Sequence, residues 1–278
     1  MTPGPPLVNA DWNFWPDGFD RPAIWHACAD LGFSGVEVGV YRPDDELSAA
    51  AMTEIGALAT GTGLGVEAVL FSMPADRWPD GGLTSPTESA RAVTEIAETA
   101  RRASDLGARV LGVWPGADRP LAGTEGWART VDALGAVADV AEPLSLAVAV
   151  EYKPGQLVAG AAEALRLAET LDRPAVGVLV DTAHALAGGE DLAALPALLT
   201  GRLAHVHLGD SAGDADADLP PGAEHDFAPF LGALAASGYR GALSFDLYGS
   251  VLAGSCTGTE ASGQGLSHIR TAMARAEA

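Results

Sequence analysis

Eight short apolar runs, each separated from the next by a segment of helical period, constrain this chain more than any other feature. The runs are Leu7–Trp12, Gly35–Tyr41, Gly65–Phe71, Arg109–Trp114, Leu146–Glu151, Val176–Asp181, Leu203–Leu208 and Gly241–Leu247. Between them, apolar residues recur at helical spacing in Pro22–Leu31, Leu47–Thr60, Pro86–Leu106, Gly126–Ala141, Ala159–Leu171, Leu192–Leu199 and Phe227–Ser237. Strands alternating with helices imply right-handed βαβ units and a parallel sheet. The runs are rich in Val, Ala and Leu rather than strictly alternating, as strands covered on both faces are. Eight is the count that closes a (β/α)8 barrel, so the expectation is one TIM barrel domain over residues 1–278. A doubly wound open sheet would carry a Gly-rich phosphate loop after its first strand. Here that strand leads into Asn9-Ala10-Asp11-Trp12-Asn13-Phe14-Trp15 instead. Gly32, Gly107 and Gly238 stand where helices should stop, and the longest helix is expected to begin at Ser85-Pro86.

Charge narrows the partners. The 278 residues include 37 acidic and 16 basic ones, a formal net charge of −21. Binding nucleic acid or an anionic membrane surface needs the opposite balance. Two cysteines, Cys28 and Cys256, exclude a disulfide framework and a thiolate zinc site. Met1–Asn9 has neither a basic nor an apolar signal region, and no run reaches membrane-spanning length, so a cytoplasmic protein is expected. Fifteen of the basic residues are Arg, and the single lysine is Lys153. Lysine is a compact donor whose chemistry the broader guanidinium fork cannot reproduce.

Active sites of such barrels lie at the C-terminal ends of the strands. Four successive strand ends are ionisable: Glu151-Tyr152-Lys153-Pro154, Asp181-Thr182-Ala183-His184, His205-Val206-His207-Leu208-Gly209-Asp210 and Phe245-Asp246. A desolvated carboxylate needs a partner. With one lysine nearby, a divalent cation is the economical one. Glu151, Asp181, His207 and Asp246 would offer three oxygens and one nitrogen, which suits Mn2+, Mg2+ or Co2+ and leaves Zn2+ open.

These strand ends, in this order, resemble the sugar isomerase/epimerase superfamily of xylose isomerase-like TIM barrels. The late Gly238–Asp246 stretch and the acidic Pro-Gly segment Asp216–Gly222 add to the resemblance, which covers nearly the whole chain. It implies that Glu151, Asp181, His207 and Asp246 bind the metal, preferably Mn2+, and that His184 lies beside substrate oxygens. It also implies a metal-dependent isomerase or epimerase acting on a sugar or sugar-like ketone. Glu151 and Asp246 would exchange a proton beside the polarised carbonyl, or Lys153 would assist a hydride shift. Two departures stand out: many such epimerases carry Glu where this chain has Asp246, and often Lys or Asn where it has Gly209.

Residues two apart share a strand face, so Glu151 and Lys153 should both face the barrel mouth. Asp210, Trp15 and Trp114 are further candidates for the substrate. Glu37 is read equally as a pocket residue or a buried hydrogen-bonding one, and His205 as a hydrogen-bonded core histidine. The acids Asp214, Asp216 and Asp218 argue for an unphosphorylated substrate. A homo-oligomer remains compatible with the sequence, as do a metal-dependent dehydratase on the same barrel and a non-catalytic binding protein.

Overall fold

The computed structural model describes residues 4–116 and 124–276. The first three residues of the Met1–Asn9 stretch lie outside them. All eight apolar runs form strands: β1 (Leu7–Ala10), β2 (Gly35–Val40), β3 (Gly65–Phe71), β4 (Val110–Val113), β5 (Ala147–Glu151), β6 (Val176–Asp181), β7 (Leu203–Leu208) and β8 (Leu243–Phe245). Each pairs in parallel with its successor, and β8 returns to β1, closing a (β/α)8 barrel. In the register of β6 and β7, Asp181 stands opposite His207. Among the described residues, no helix is long and apolar enough to cross a membrane.

The main core lies between strands and helices, where Trp25, Phe71, Phe230 and Ile55 are fully covered. Each such side chain contributes roughly 1.5–3 kcal/mol. Inside the barrel, Ala10, Trp12, Leu70, Ala149 and Leu179 form a small apolar plug. Cys28 is a buried core residue, and both cysteines are free thiols. Gly32 and Gly238 end their helices with φ of 85° and 80°, a conformation that costs other residues energy.

Three expectations need correction. The first strand stops at Ala10, because Asp11–Phe14 winds into a 3-10 turn; the last stops at Phe245, leaving Asp246 one residue beyond the ladder. The helix expected from Pro86 begins at Ser89. Ser85 Oγ does accept the amides of Thr87 and Glu88, but this forms a local turn ahead of the helix. Among the described residues the longest helix is Gly258–Ala276, which the apolar periodicity does not announce. Its glycines dilute the pattern for a packing reason: a Cβ on Gly265 would lie 2.9 Å from the Phe245 ring and 2.8 Å from Pro221.

Candidate active site

The four strand ends converge on one point. His207 Nδ1 lies 3.9 Å from Glu151 Oε1, 3.9 Å from Asp181 Oδ2 and 3.6 Å from Asp246 Oδ2. That nitrogen is buried and has no hydrogen-bond partner. His184 Nδ1, likewise buried and unpartnered, is 3.4 Å from Glu151 Oε1. Asp181 also caps the short helix Thr182–Ala187, its Oδ1 accepting the His184 amide at 3.0 Å.

Beneath this cluster lies a second, fully buried one. Glu37 Oε1 is 3.2 Å from His207 Nε2, and Glu37 Oε2 is 2.9 Å from His205 Nε2. Glu37 is thus a buried hydrogen-bonding residue rather than a wall of the pocket, and His205 is a core histidine. Burial opposes the Glu37 charge, but the two imidazoles outweigh it and hold the carboxyl far below the usual range. Burial also opposes a His207 charge, and the neighbouring Glu37 overcomes it, pushing His207 up to about 10. The upper carboxylates behave differently. Burial pushes Glu151 up to about 7, although His184 and His207 pull the other way. Burial raises Asp246, with Asp181 adding to the shift.

Asp246 lies beyond the ladder and is held from the 3-10 turn. Trp12 Nε1 donates to its Oδ1 at 2.9 Å. Asn13 brackets its backbone, donating to Phe245 O at 2.8 Å and accepting from Leu247 N at 2.8 Å. Asn9 steadies Asn13 through a 2.9 Å bond and reaches Ser262 on the last helix at 2.9 Å. Asn-rich sequence after a first strand is a weak signal and does not announce the bracket.

A cavity of about 530 Å3 opens above, walled by Trp12, Trp114, Tyr41, Tyr248, Glu151, Lys153, His184, Asp216, Asp218 and Asp246. Glu151 and Lys153 share this mouth although the strand ends at Glu151. Lys153 Nζ pairs with Asp216 Oδ1 and stands 5.2 Å from the Trp114 ring centre. Tyr41 ends the second apolar run, Asp218 lies in the acidic loop after β7, and Tyr248 opens the short helix Tyr248–Leu252; nothing in the sequence assigns Tyr41 or Tyr248 to this cavity.

Two candidates fall elsewhere. Asp210 does not reach the cavity: its carboxylate accepts Ser211 N, Gly222 N, Glu224 N, His225 N and His225 Nδ1, so it fastens the loop after β7. Trp15 is carried past the mouth by the 3-10 turn and packs on Tyr41 with ring centres 5.2 Å apart, beside a neighbouring hollow.

The donor set fits a divalent cation. Two buried carboxylates and a half-buried third gather around one unpartnered imidazole nitrogen, more negative charge than a single imidazole offsets. Three hard oxygens with one nitrogen suit Mn2+, Mg2+ or Co2+.

Comparison with known proteins agrees with the barrel. The profile of the xylose isomerase-like TIM barrel family matches residues 25–272. A xylose isomerase from Thermus thermophilus is 34% identical over 203 residues, 66% of this chain and 52% of that enzyme. The chain therefore spans about half the length of the xylose isomerase it matches. An L-ribulose 3-epimerase from Mesorhizobium japonicum is 28% identical over 233 residues, covering 80% of this chain and 73% of the epimerase. Among solved structures, an L-ribulose 3-epimerase superposes with a TM-score of 0.80 at 20% identity, covering 98% of this chain and 96% of its own. A D-psicose 3-epimerase from Clostridium cellulolyticum H10, solved with D-tagatose, has a TM-score of 0.80 at 19% identity and covers 96% and 99%.

Proposed function

This chain belongs to the xylose isomerase-like TIM barrel family, and from that premise we propose that it is a divalent-metal-dependent epimerase acting on an unphosphorylated ketose or a similar polyhydroxy ketone. The observation that carries the reading is His207 Nδ1, buried, unpartnered and within 4 Å of carboxylates from three other strand ends. Glu151, Asp181, His207 and Asp246 would hold the ion. When bound, a divalent cation supplies Lewis-acid polarisation of a substrate carbonyl.

The chain's own groups supply the rest. Glu151 and Asp246 are the two carboxyls placed to exchange a proton at the carbon beside that carbonyl. Burial raises both in the metal-free protein; beside a bound cation they would be held ionised, which suits accepting a proton. Asp246 is a methylene shorter than glutamate, and Trp12 and Asn13 hold it in place. Lys153 directs a charge-assisted donor at the wall where a substrate oxygen gathers charge. Trp12 and Trp114 offer flat apolar faces for a sugar backbone. The ketose class is supported by the L-ribulose 3-epimerase, which matches 80% of this chain at 28% identity, against 66% at 34% for the xylose isomerase.

The test is NMR of a panel of free ketoses, including D-allulose and L-ribulose, with Mn2+-loaded protein in deuterium oxide. Epimerisation with deuterium entering at the inverted carbon is expected. Loss of water from the substrate would instead reveal a dehydratase, and binding without turnover a non-catalytic protein; either outcome overturns the proposal.

A further inference from the structure

Asp218 differs from the other acids of the loop after β7. Asp214 accepts the amide of Asp216 within the loop, and Asp216 is largely exposed and pairs with Lys153. Asp218 instead lines the cavity beside Asp246 and Tyr248. Its Oδ2 accepts the amide of Gly249, from the far side of the mouth, at 3.0 Å.

The chain goes to some length to present this carboxylate. Asp218 has a φ of 39°, in the left-handed region that side chains avoid. Its neighbour Leu219 is bridged to Asp210 through both backbone hydrogen bonds, at 2.7 and 2.9 Å. The Asp210 carboxylate then ties the same loop down at Gly222, Glu224 and His225. Position 249 has no room for a side chain: a Cβ would collide with the Asp216 carbonyl and lie 2.9 Å from Asp218 Oδ2. The same cavity holds His184, whose buried Nδ1 lies 3.4 Å from Glu151 Oε1.

We propose that Asp218 determines substrate specificity in the epimerase proposed above, accepting a hydrogen bond from a hydroxyl of a neutral substrate and repelling an anionic one. Burial and the neighbouring Asp246 and Asp181 raise Asp218 in the metal-free protein, while the Gly249 amide and Lys153 favour its charged form; ionised, it only accepts, and sugar hydroxyls donate. The groups facing this part of the cavity are Asp216, Asp246, Glu151, His184 and Lys153, and the lysine is already paired with Asp216. A phosphate or carboxylate on the substrate would meet carboxylates there. Asp218 thus selects free ketoses over phosphorylated and acidic ones.

The inference rests on the proposed function, and the experiment separates the two. Asp218→Gly and Asp218→Asn are made in the full chain and loaded with Mn2+. Melting temperature, metal content, and KM and kcat are measured for a free ketose and its phosphate. Glycine accepts the left-handed backbone without strain. Asp218→Gly is therefore expected to melt at the same or a higher temperature, keep its metal, and raise KM for the free ketose at least tenfold. Asp218→Asn keeps an acceptor without the charge. It should hold KM for the free ketose within a few-fold while preference over the phosphate falls at least tenfold. Unchanged KM and preference in both variants would overturn the proposal, as would a lower melting temperature with loss of metal, which marks a structural role. If loaded wild type turns over no ketose, the proposed function falls; calorimetric titration of the same ketoses then decides Asp218, equal affinity in wild type and Asp218→Gly overturning it.

Discussion

His207 Nε2 lies 3.2 Å from Glu37 Oε1, with both side chains wholly buried, and this contact decides which imidazole nitrogen faces the carboxylates. Glu37 only accepts, so Nε2 carries the hydrogen and Nδ1 is left to turn toward Glu151, Asp181 and Asp246. Carboxylates placed behind a histidine ligand commonly orient the ring and raise its basicity. Glu37→Leu is expected to weaken Mn2+ binding roughly 10–100-fold. Glu37→Gln, which keeps the shape and one acceptor, should fall between it and wild type. Titration of metal-free protein with Mn2+ checks this, with His207→Ala as the reference for a lost ligand. Wild-type affinity in Glu37→Leu would remove Glu37 from the site.

Asn13 acts on Asp246 through the backbone. Replacing it with alanine strands Phe245 O, Leu247 N and the Asn9 amide oxygen in a buried region. The cost should be on the order of 3 kcal/mol, since buried groups left unpaired are expensive. Urea melts would show it. Turnover should fall more than substrate affinity, because the proton-exchanging carboxyl is displaced while the walls remain.

Lys153 gives a sharper contrast. Losing a charge-assisted donor aimed at a developing oxyanion costs about 2.7–4 kcal/mol, on the order of 10²–10³ in rate. Lys153→Met should show that loss in kcat while keeping metal and fold. Its ion pair is with Asp216, a largely exposed partner, and such pairs add little stability. Lys153→Arg should fare nearly as badly, because the planar fork cannot occupy the same point. Near-wild-type turnover in Lys153→Arg would make the lone lysine incidental.

Stability of the metal-free protein should fall as pH rises. Glu151 titrates near 4.5 when unfolded and about 7 when folded, so between those values the folded state holds more protons and loses stability with rising pH. Asp11, which burial pushes up to about 7, acts the same way over a window that opens near 3.8. His207, raised from 6.5 to about 10, extends the loss into the alkaline range. Glu37 works oppositely, and its contribution is lost below about 4.5. Melting temperatures with chelator should therefore peak near pH 4 and decline toward pH 9. Added Mn2+ should reverse the decline, since ligand binding requires the protons to leave. A chelated protein most stable at pH 8 would contradict these assignments.

Much of the fold was legible because strand and helix periods are local. Each apolar run needed only its own neighbours to be read, and all eight became strands. The helix Gly258–Ala276 escaped because Gly258 and Gly265 suit close packing rather than helical propensity. Glu151, Asp181, His207 and Asp246 were legible for a related reason: parallel closure brings every strand's C-terminal end to one rim, so ionisable ends must meet.

The sequence by itself determined the barrel, the rim on which its chemistry lies and the identity of the four converging side chains. Tertiary structure alone decided how each is used. Asp210 and Asp218 are both acids of one loop, yet five donors occupy Asp210 while Asp218 faces the cavity. Glu37 and Glu151 are both strand glutamates. Two imidazoles keep the first ionised, whereas burial among other carboxylates leaves the second ready to take a proton. Residue type and spacing are properties of the chain, but desolvation and hydrogen-bond partners are set by whatever packs against a group, and that exists only once distant segments have met.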